Sequence, residues 1–282
     1  MTREPEIAYI AGYGRSGSTL LDSILGNHPE VFGAGELNRV FDRHLGNANC
    51  SCGAPIQECP FWTSVFDRLA ATLPAFDVTK AATTTLQTES LSSIRRRHSE
   101  YVELWTALLD VISEVSGRRI IIDSSKSSRV AHYRLSLLRS RAELPVKVIH
   151  LVRDPRAVMW SALRGSDRQL EVGNTKPLTG GAFRTLVSWA YSNMSVEASR
   201  FSGDRPDYVR MRYEDLSGAT SRTLHALGEY LGVDTKPFTS VCETNKGIDP
   251  GHGVGGNRMR RRGRIVIRTD DEWRTRLPRF QM

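Results

Sequence analysis

EIAYIAGYGRSGSTLLDSIL, running from Glu6 to Leu25, decides how this chain folds. Glu6 to Gly12 is a short apolar run, as a strand buried on both faces requires. GYGRSGST follows as a glycine-rich turn, and Thr19 to Leu25 reads as a helix. A strand, a tight turn and a helix N-terminus make an anion cradle. Backbone N–H groups converge there and the helix dipole adds positive potential. Gly12, Gly14 and Gly17 permit the turn and a close approach, and Ser16, Ser18 and Thr19 add hydroxyl donors. An ordinary strand-to-helix turn is the plain alternative; the GxGxxGST spacing favours a bound phosphate or sulfate.

Outward from this unit the pattern repeats. Val31 to Ala34, Arg119 to Asp123, Val146 to Val152 and Tyr208 to Met211 are short β-branched runs bounded by turn signals. Between them His98 to Val115, Pro155 to Leu163, Phe183 to Ala198 and Ser221 to Leu231 carry helical spacing, with Pro155 at a first helical position. Alternation of this kind predicts an α/β domain with a P-loop-like, three-layer build: a central parallel sheet flanked by helices. Ligands of such sheets gather at the carboxyl ends of the strands. Two stretches fit poorly: Gly46 to Glu100, which includes RRRH at Arg95 to His98, and Asp167 to Gly181. The first reads as an acceptor-side insert at about 46–100, the second as a lid. From Gly247 the chain is rich in Gly and Arg, like a flexible arm closing over a ligand. The expectation is one domain over residues 1–282.

Gly12 and Gly17 have the spacing of the NTPase loop G-x-x-x-x-G-K-[ST], but Ser18 stands where the Lys belongs. The basic residue of the turn is Arg15, earlier in the loop. An NTPase needs that Lys on its β and γ phosphates, so the departure points to a different donor.

Bulk properties narrow the setting. The 282 residues carry 39 Lys and Arg against 31 Asp and Glu, a formal charge of +8. That balance suits a polyanion, an anionic surface or mere solubility. No apolar run is long enough to span a membrane, and Met1 to Ile10 lacks a signal-peptide pattern. A cytoplasmic chain is expected. Of four cysteines, Cys50, Cys52 and Cys59 cluster in CSCGAPIQECPFW; Cys242 stands apart. The spacing is compatible with metal ligation, with His44 as a fourth ligand, but a second paired knuckle is missing. Packing or a conditional disulfide ranks ahead, and no metal is assigned.

With these residues in view, the chain resembles the sulfotransferase superfamily that uses 3′-phosphoadenosine 5′-phosphosulfate (PAPS). GRSGSTLLDSIL, Gly14 to Leu25, is similar to its 5′-phosphosulfate loop, in the Arg version found in carbohydrate and tyrosylprotein sulfotransferases. VIHLVRDPRAVMWSALR, Val148 to Arg164, resembles the 3′-phosphate motif, with Arg153 and Ser161 at its eight-residue separation. RYEDL at Arg212 to Leu216 resembles a nucleoside segment, and GNRMR with DDEW, Gly256 to Trp273, the closing segment of bacterial members. The insert lies outside the resemblance. It implies PAPS as co-substrate with no metal required, held by Gly14, Arg15, Ser16, Gly17, Ser18, Thr19, Arg153, Ser161, Arg164, Tyr213, Asn257 and Arg260. Physically, a 3′-phosphate dianion wants a bidentate Arg and a hydroxyl. Ser161 lies two helical turns past Arg153, on one face. The plain alternative for Arg153–Asp154 is a surface ion pair at the helix beginning at Pro155.

Sulfuryl transfer needs an in-line arrangement and stabilisation of the leaving oxygen. Arg15 and Lys126, in DSSKSSR, are the candidate cations. Glu36, in FGAGELNRV, is the candidate base for the acceptor hydroxyl; tyrosylprotein sulfotransferases are similar in having a catalytic Glu in a Gly-Glu segment. A capping role for Glu36 and a solvated one for Lys126 are the plain readings. His28 and His150 are weaker rivals for the base. The acceptor is a small molecule, glycan or peptide: a sugar, a phenol or tyrosyl group, or a natural-product alcohol. Nucleic acid is not expected as a partner. Two other classes stay open. One is a diverged P-loop kinase or NTPase, with Asp123 holding Mg²⁺. The other is a nucleic-acid binder using RMRRRGR at Arg258 to Arg264, although aromatic interleaving is absent.

Overall fold

The computed structural model describes residues 5–89, 99–126, 134–135, 138, 146–163, 181–199, 207–243, 247–257, 259–260 and 263–277. Five strands form one parallel sheet: β1 (Glu6–Ala11), β2 (Val31–Gly35), β3 (Ile120–Asp123), β4 (Val146–Val152) and β5 (Tyr208–Arg212). Their order is β2-β3-β1-β4-β5, and every pairing is parallel. Period-two alternation divides the core between the two faces. Ile7 and Tyr9 face a cluster containing Phe41, Trp62, Trp105 and Leu108. Ala8 and Ile10 face the opposite cluster, with Leu20, Ile24, Leu224 and Leu227. The result is the expected three-layer α/β architecture.

Topology positions the site. From central β1 the chain moves outward to β2, returns through β3, then crosses to β4 and β5 on the other side. The turn after β1 therefore opens at the point where strand order reverses, which is where such sheets form a crevice. Helix α1 (Ser18–Leu25) starts from that turn with every residue buried.

The stretch expected as an insert packs into the cluster on the Ile7 and Tyr9 face of the sheet. Helix α2 (Val40–Leu45) precedes it, α3 (Pro60–Thr72) and α4 (Val78–Thr88) lie within it, and α5 (Ser99–Ser116) begins at its end. Trp62, Val65, Phe66 and Leu69 give α3 one apolar face, and all four are buried. Asp77 caps α4 by accepting the Lys80 N–H at 2.7 Å. Arg95 to His98 and residues 167–180 of the stretch expected as a lid lie outside the described residues. Helix α6 (Pro155–Leu163) follows β4, and α7 (Gly181–Ala198), α8 (Tyr213–Gly218) and α9 (Thr220–Leu231) complete the layers discussed below.

The stretch after Gly247 is docked, unlike the flexible arm expected from its composition. Val254 lies beside Gly35 as a parallel bridge and Ile248 pairs antiparallel with Ile265. The Val254 N–H donates to Ala34 O at 2.8 Å and the Glu36 N–H to Val254 O at 2.7 Å. Val254, Ile248 and Ile265 are buried. Three apolar side chains at wide spacing among the glycines anchor what the Gly and Arg content suggested was loose.

Candidate active site

A cavity of about 430 Å³ opens beyond the carboxyl ends of β1, β2, β3 and β4. Gly14, Arg15, Gly17, Ser18 and Thr19 line it from the turn, Glu36 from the end of β2 and Lys126 from the segment after β3. Arg153 and Ser161 line it from β4–α6, Tyr213 from α8, and Gly256, Asn257, Met259 and Asp270 from the C-terminal stretch. One cleft thus gathers eleven of the residues singled out in the sequence. Ser16 lies just behind, buried, and its hydroxyl has no hydrogen-bond partner among the described residues. Arg164 lies outside the described residues.

The turn is built for close approach. Gly17 caps α1 with φ of 91°, a left-handed conformation. A Cβ there would stand 2.3 Å from the Tyr213 ring. That ring in turn lies 4.3 Å under the Arg153 guanidinium. Arg153 Nη1 donates to Arg15 O at 3.0 Å, and its Nη2 pairs with Asp270 at 2.8 Å. The Arg153 Nε is buried without a hydrogen-bond partner among the described residues. Asp154 turns the other way, and its carboxylate accepts the Arg156 N–H at 2.8 Å at the start of α6. Neighbouring residues thus divide the two roles weighed for the pair, Arg153 turning to the cleft and Asp154 capping. Arg15 has φ of 67°. Its Nη1 donates to Ser161 O at 2.7 Å and Ser161 Oγ at 3.2 Å, tying the turn to α6.

Opposite these groups, Lys126 Nζ donates to Glu36 Oε1 at 3.2 Å. Glu36 precedes a short 3₁₀ turn (Leu37–Arg39) but its side chain makes no cap bond. Burial pushes the Glu36 carboxyl upward. Lys126, then Arg43 and the Gly256 N–H, outweigh it and hold the group below the usual carboxylate range. Glu36 is therefore ionised at neutral pH. Lys126 is largely buried rather than solvated, with 11% of its side chain exposed.

Other candidates are placed elsewhere. Arg260 is buried behind the cleft, its Nη2 at 2.6 Å from Asp22 and its Nε donating to Ser23 Oγ at 3.2 Å. It anchors the C-terminal stretch to α1 instead of lining the cavity, and within RMRRRGR it points inward; Arg258, Arg261 and Arg262 are outside the described residues. His28 is buried in its turn, with Nε2 at 2.9 Å from Asp234 O. His150 lies in the core between Tyr208 OH at 2.6 Å and Asn193 Oδ1 at 2.9 Å. Asp123 is engaged by Arg134 at 2.7 and 2.9 Å and by the Ser125 N–H at 2.8 Å. Arg134 also pairs with Glu89, so the acid proposed for Mg²⁺ belongs to a buried ion network. His44 packs on Phe66, with ring centroids 4.1 Å apart. The imidazole that meets the three clustered cysteines is His252.

Asp270 and Gly256 joined the cleft unannounced. Asp270 sits in the DDEW segment, whose acid pair was the available signal; its partner Arg153 is 117 positions away. Gly256 drapes over α1, where the Asn257 N–H donates to Thr19 Oγ1 at 3.1 Å.

Chemically, three cations and two carboxylates line the cleft, with a row of N–H and hydroxyl donors at one end. It is equipped to hold a small molecule bearing two separated anionic groups. No curated protein matches the chain. Among solved structures, the sulfotransferase domain from the Synechococcus PCC 7002 olefin synthase is similar, with 22% identity and a TM-score of 0.56. The match covers 99% of this chain and 91% of that one. The sulfotransferase domain from the curacin biosynthetic pathway is likewise similar, at 22% identity and a TM-score of 0.54, over 96% and 90% of the two chains. These likenesses concern the fold. Residues 8–237 match the family described as the Sulfotransferase family, and the chain belongs to that family.

Proposed function

We propose that this sulfotransferase moves a sulfuryl group from PAPS to an acceptor hydroxyl by in-line displacement. The observation that carries the reading is the Glu36–Lys126 pair, 3.2 Å apart, in the same cleft as the phosphate-type turn. The N–H and hydroxyl donors of residues 14–19 hold the 5′-phosphosulfate end. Arg153 and Ser161 hold the 3′-phosphate, and Arg164, one helical turn on in the sequence, adds charge. Tyr213 and Asn257 line the nucleoside side, and Arg260 fixes the stretch that bears Asn257. The orphaned Ser16 Oγ and Arg153 Nε fit an anionic ligand, since each is a buried donor in need of an acceptor.

Glu36 takes the proton of the acceptor hydroxyl as its oxygen bonds to sulfur. The bond from sulfur to the 5′-phosphate oxygen breaks, and that oxygen keeps the electron pair. Lys126 and Arg15 stabilise the charge it gains. Arg15 must turn from Ser161 to do so. The acceptor is a sugar, a phenol or tyrosyl group, or a natural-product alcohol. The kinase alternative is disfavoured by Ser18 in the Lys position and by the Arg134 partner of Asp123.

Two measurements test this: calorimetric binding of 3′-phosphoadenosine 5′-phosphate, and turnover with labelled donor across an acceptor panel. Glu36→Gln is expected to keep nucleotide affinity and lose about 10²–10⁴-fold in turnover. Arg153→Ala is expected to lose affinity by tenfold or more. Arg15→Ala should lose more rate than affinity. Equal turnover by Glu36→Gln removes it as the base, and tight ATP binding that needs Mg²⁺ would favour the kinase.

A further inference from the structure

We propose that Cys50, Cys52, Cys59 and His252 form a structural zinc site that staples the insert to the C-terminal stretch beside the cleft. The three sulfurs and one imidazole nitrogen all lie within 4.8 Å of one another. Cys52 Sγ and Cys59 Sγ are 3.7 Å apart. Cys59 Sγ and Cys50 Sγ lie 3.3 and 3.9 Å from His252 Nδ1. A tetrahedral zinc ion with Zn–S of about 2.3 Å and Zn–N of about 2.0–2.1 Å sets S···S edges near ~3.8 Å and S···N edges near ~3.5 Å. These three separations lie within about 0.4 Å of those edges. A disulfide needs sulfurs about 2.05 Å apart, and none of these cysteines is bonded. Hydrogen bonds among these groups are the weak S–H kind and act in pairs. A shared cation uses all four.

The frame around the cluster is set by other contacts. The Cys50 N–H donates to Ala54 O at 2.8 Å and the Gly53 N–H to Cys50 O at 3.0 Å, folding CSCG into a tight knuckle. Ser51 grips Gly253 O with its N–H at 3.1 Å and its hydroxyl at 2.7 Å. Trp62 Nε1 donates to His252 O at 2.7 Å, and the Phe61 ring stacks on His252 at 5.3 Å. The ligating atoms are thus brought together by backbone clamps and packing. Thiolates with one imidazole select zinc among common divalent ions, and four protein ligands leave no open position. The role is structural. It also falls where it matters, because His252 is five residues before Asn257 and Val254 is paired with the end of β2.

The test uses the full chain, purified under reducing conditions from zinc-supplemented medium without chelator. Plasma mass spectrometry is expected to find about one zinc per chain through gel filtration. Exchange with cobalt(II) should give the strong visible bands of a tetrahedral ion and a thiolate-to-cobalt charge-transfer band. His252→Ala should lose or weaken metal retention, while His44→Ala keeps it. Should His252→Ala fail to fold, His252→Cys is expected to hold one metal with a cobalt spectrum shifted toward all-thiolate ligation. Chelation should raise deuterium uptake across residues 248–257. No readout needs sulfuryl transfer, so failure here and failure of the proposed activity are separable. Protein without zinc that also takes up no cobalt when reduced overturns the site, as does a Cys52–Cys59 disulfide in freshly isolated protein, or metal retained equally by His252→Ala.

Discussion

As the proposed base, Glu36 must be ionised, and three neighbours keep it so. Burial alone would raise its pKa; the Lys126 ammonium, Arg43 and the Gly256 N–H bring the balance below the ordinary value. The sign follows directly. Activity that needs the carboxylate is retained above the folded pKa and lost as pH falls through it. The acid limb of kcat/KM should therefore lie below that of an ordinary glutamate. Lys126→Met removes the largest lowering influence and leaves burial in place, so the limb should move to higher pH. A pH profile of kcat/KM checks this, and a limb that stays put removes Lys126 as the counter-charge whatever happens to the rate. Glu36, Lys126 and Arg153 could be placed from the sequence because each follows a short apolar run whose strand character is plain, and Ser161 because it falls two helical turns past Arg153. His252 and Asp270 were not, because their partners Cys59 and Arg153 are 193 and 117 positions distant. No local spacing encodes such a meeting.

Of the three glycines between β1 and α1, Gly14 and Gly17 make opposite demands. Gly17 has φ of 91° and a Cβ there would meet the Tyr213 ring at 2.3 Å, whereas Gly14 faces open space within 4 Å. A left-handed residue with a Cβ costs about 1–2 kcal/mol, and the ring has Arg153 stacked on it. Gly17→Ala is expected to lower stability by about 2 kcal/mol or more and to weaken nucleotide binding through Tyr213 and Arg153. Gly14→Ala should stay within about 0.5 kcal/mol. Denaturant titration compares the two; equal effects would mean that the turn relaxes around Gly17. The strands were readable because they are unbroken apolar runs buried on both faces. Helix α3 carried a readable signal in Trp62, Val65, Phe66 and Leu69, overshadowed by the adjacent cysteines. Helix α4, VTKAATTTLQT, was harder. Its five threonines are weak helix formers, and the buried Ala81, Thr85 and Thr88 show that packing imposes the conformation.

Taken as a whole, the protein encloses its cleft with both ends of the sequence. The turn after β1 forms the floor, and the C-terminal stretch passes along β2, over α1 and on to Arg153, where Asp270 closes the circuit at 2.8 Å. That last contact sets two anions against one cation. A 3′-phosphate bound at Arg153 must share the guanidinium with Asp270 or displace it. Asp270 has 26% of its side chain exposed, so the penalty is that of a partly solvated pair, about 1 kcal/mol. Asp270→Asn keeps the shape and removes the charge. It is expected to tighten binding of 3′-phosphoadenosine 5′-phosphate by about fivefold at low ionic strength, with the gain shrinking as salt rises. In the unaltered protein, the same ligand should change deuterium uptake across residues 263–277, because displacing Asp270 frees the stretch that holds Trp273 against Arg156 at 4.5 Å. Weaker binding by Asp270→Asn would reverse the assignment: the carboxylate would then be the group that aims Arg153 at its ligand, and charge competition would play no part.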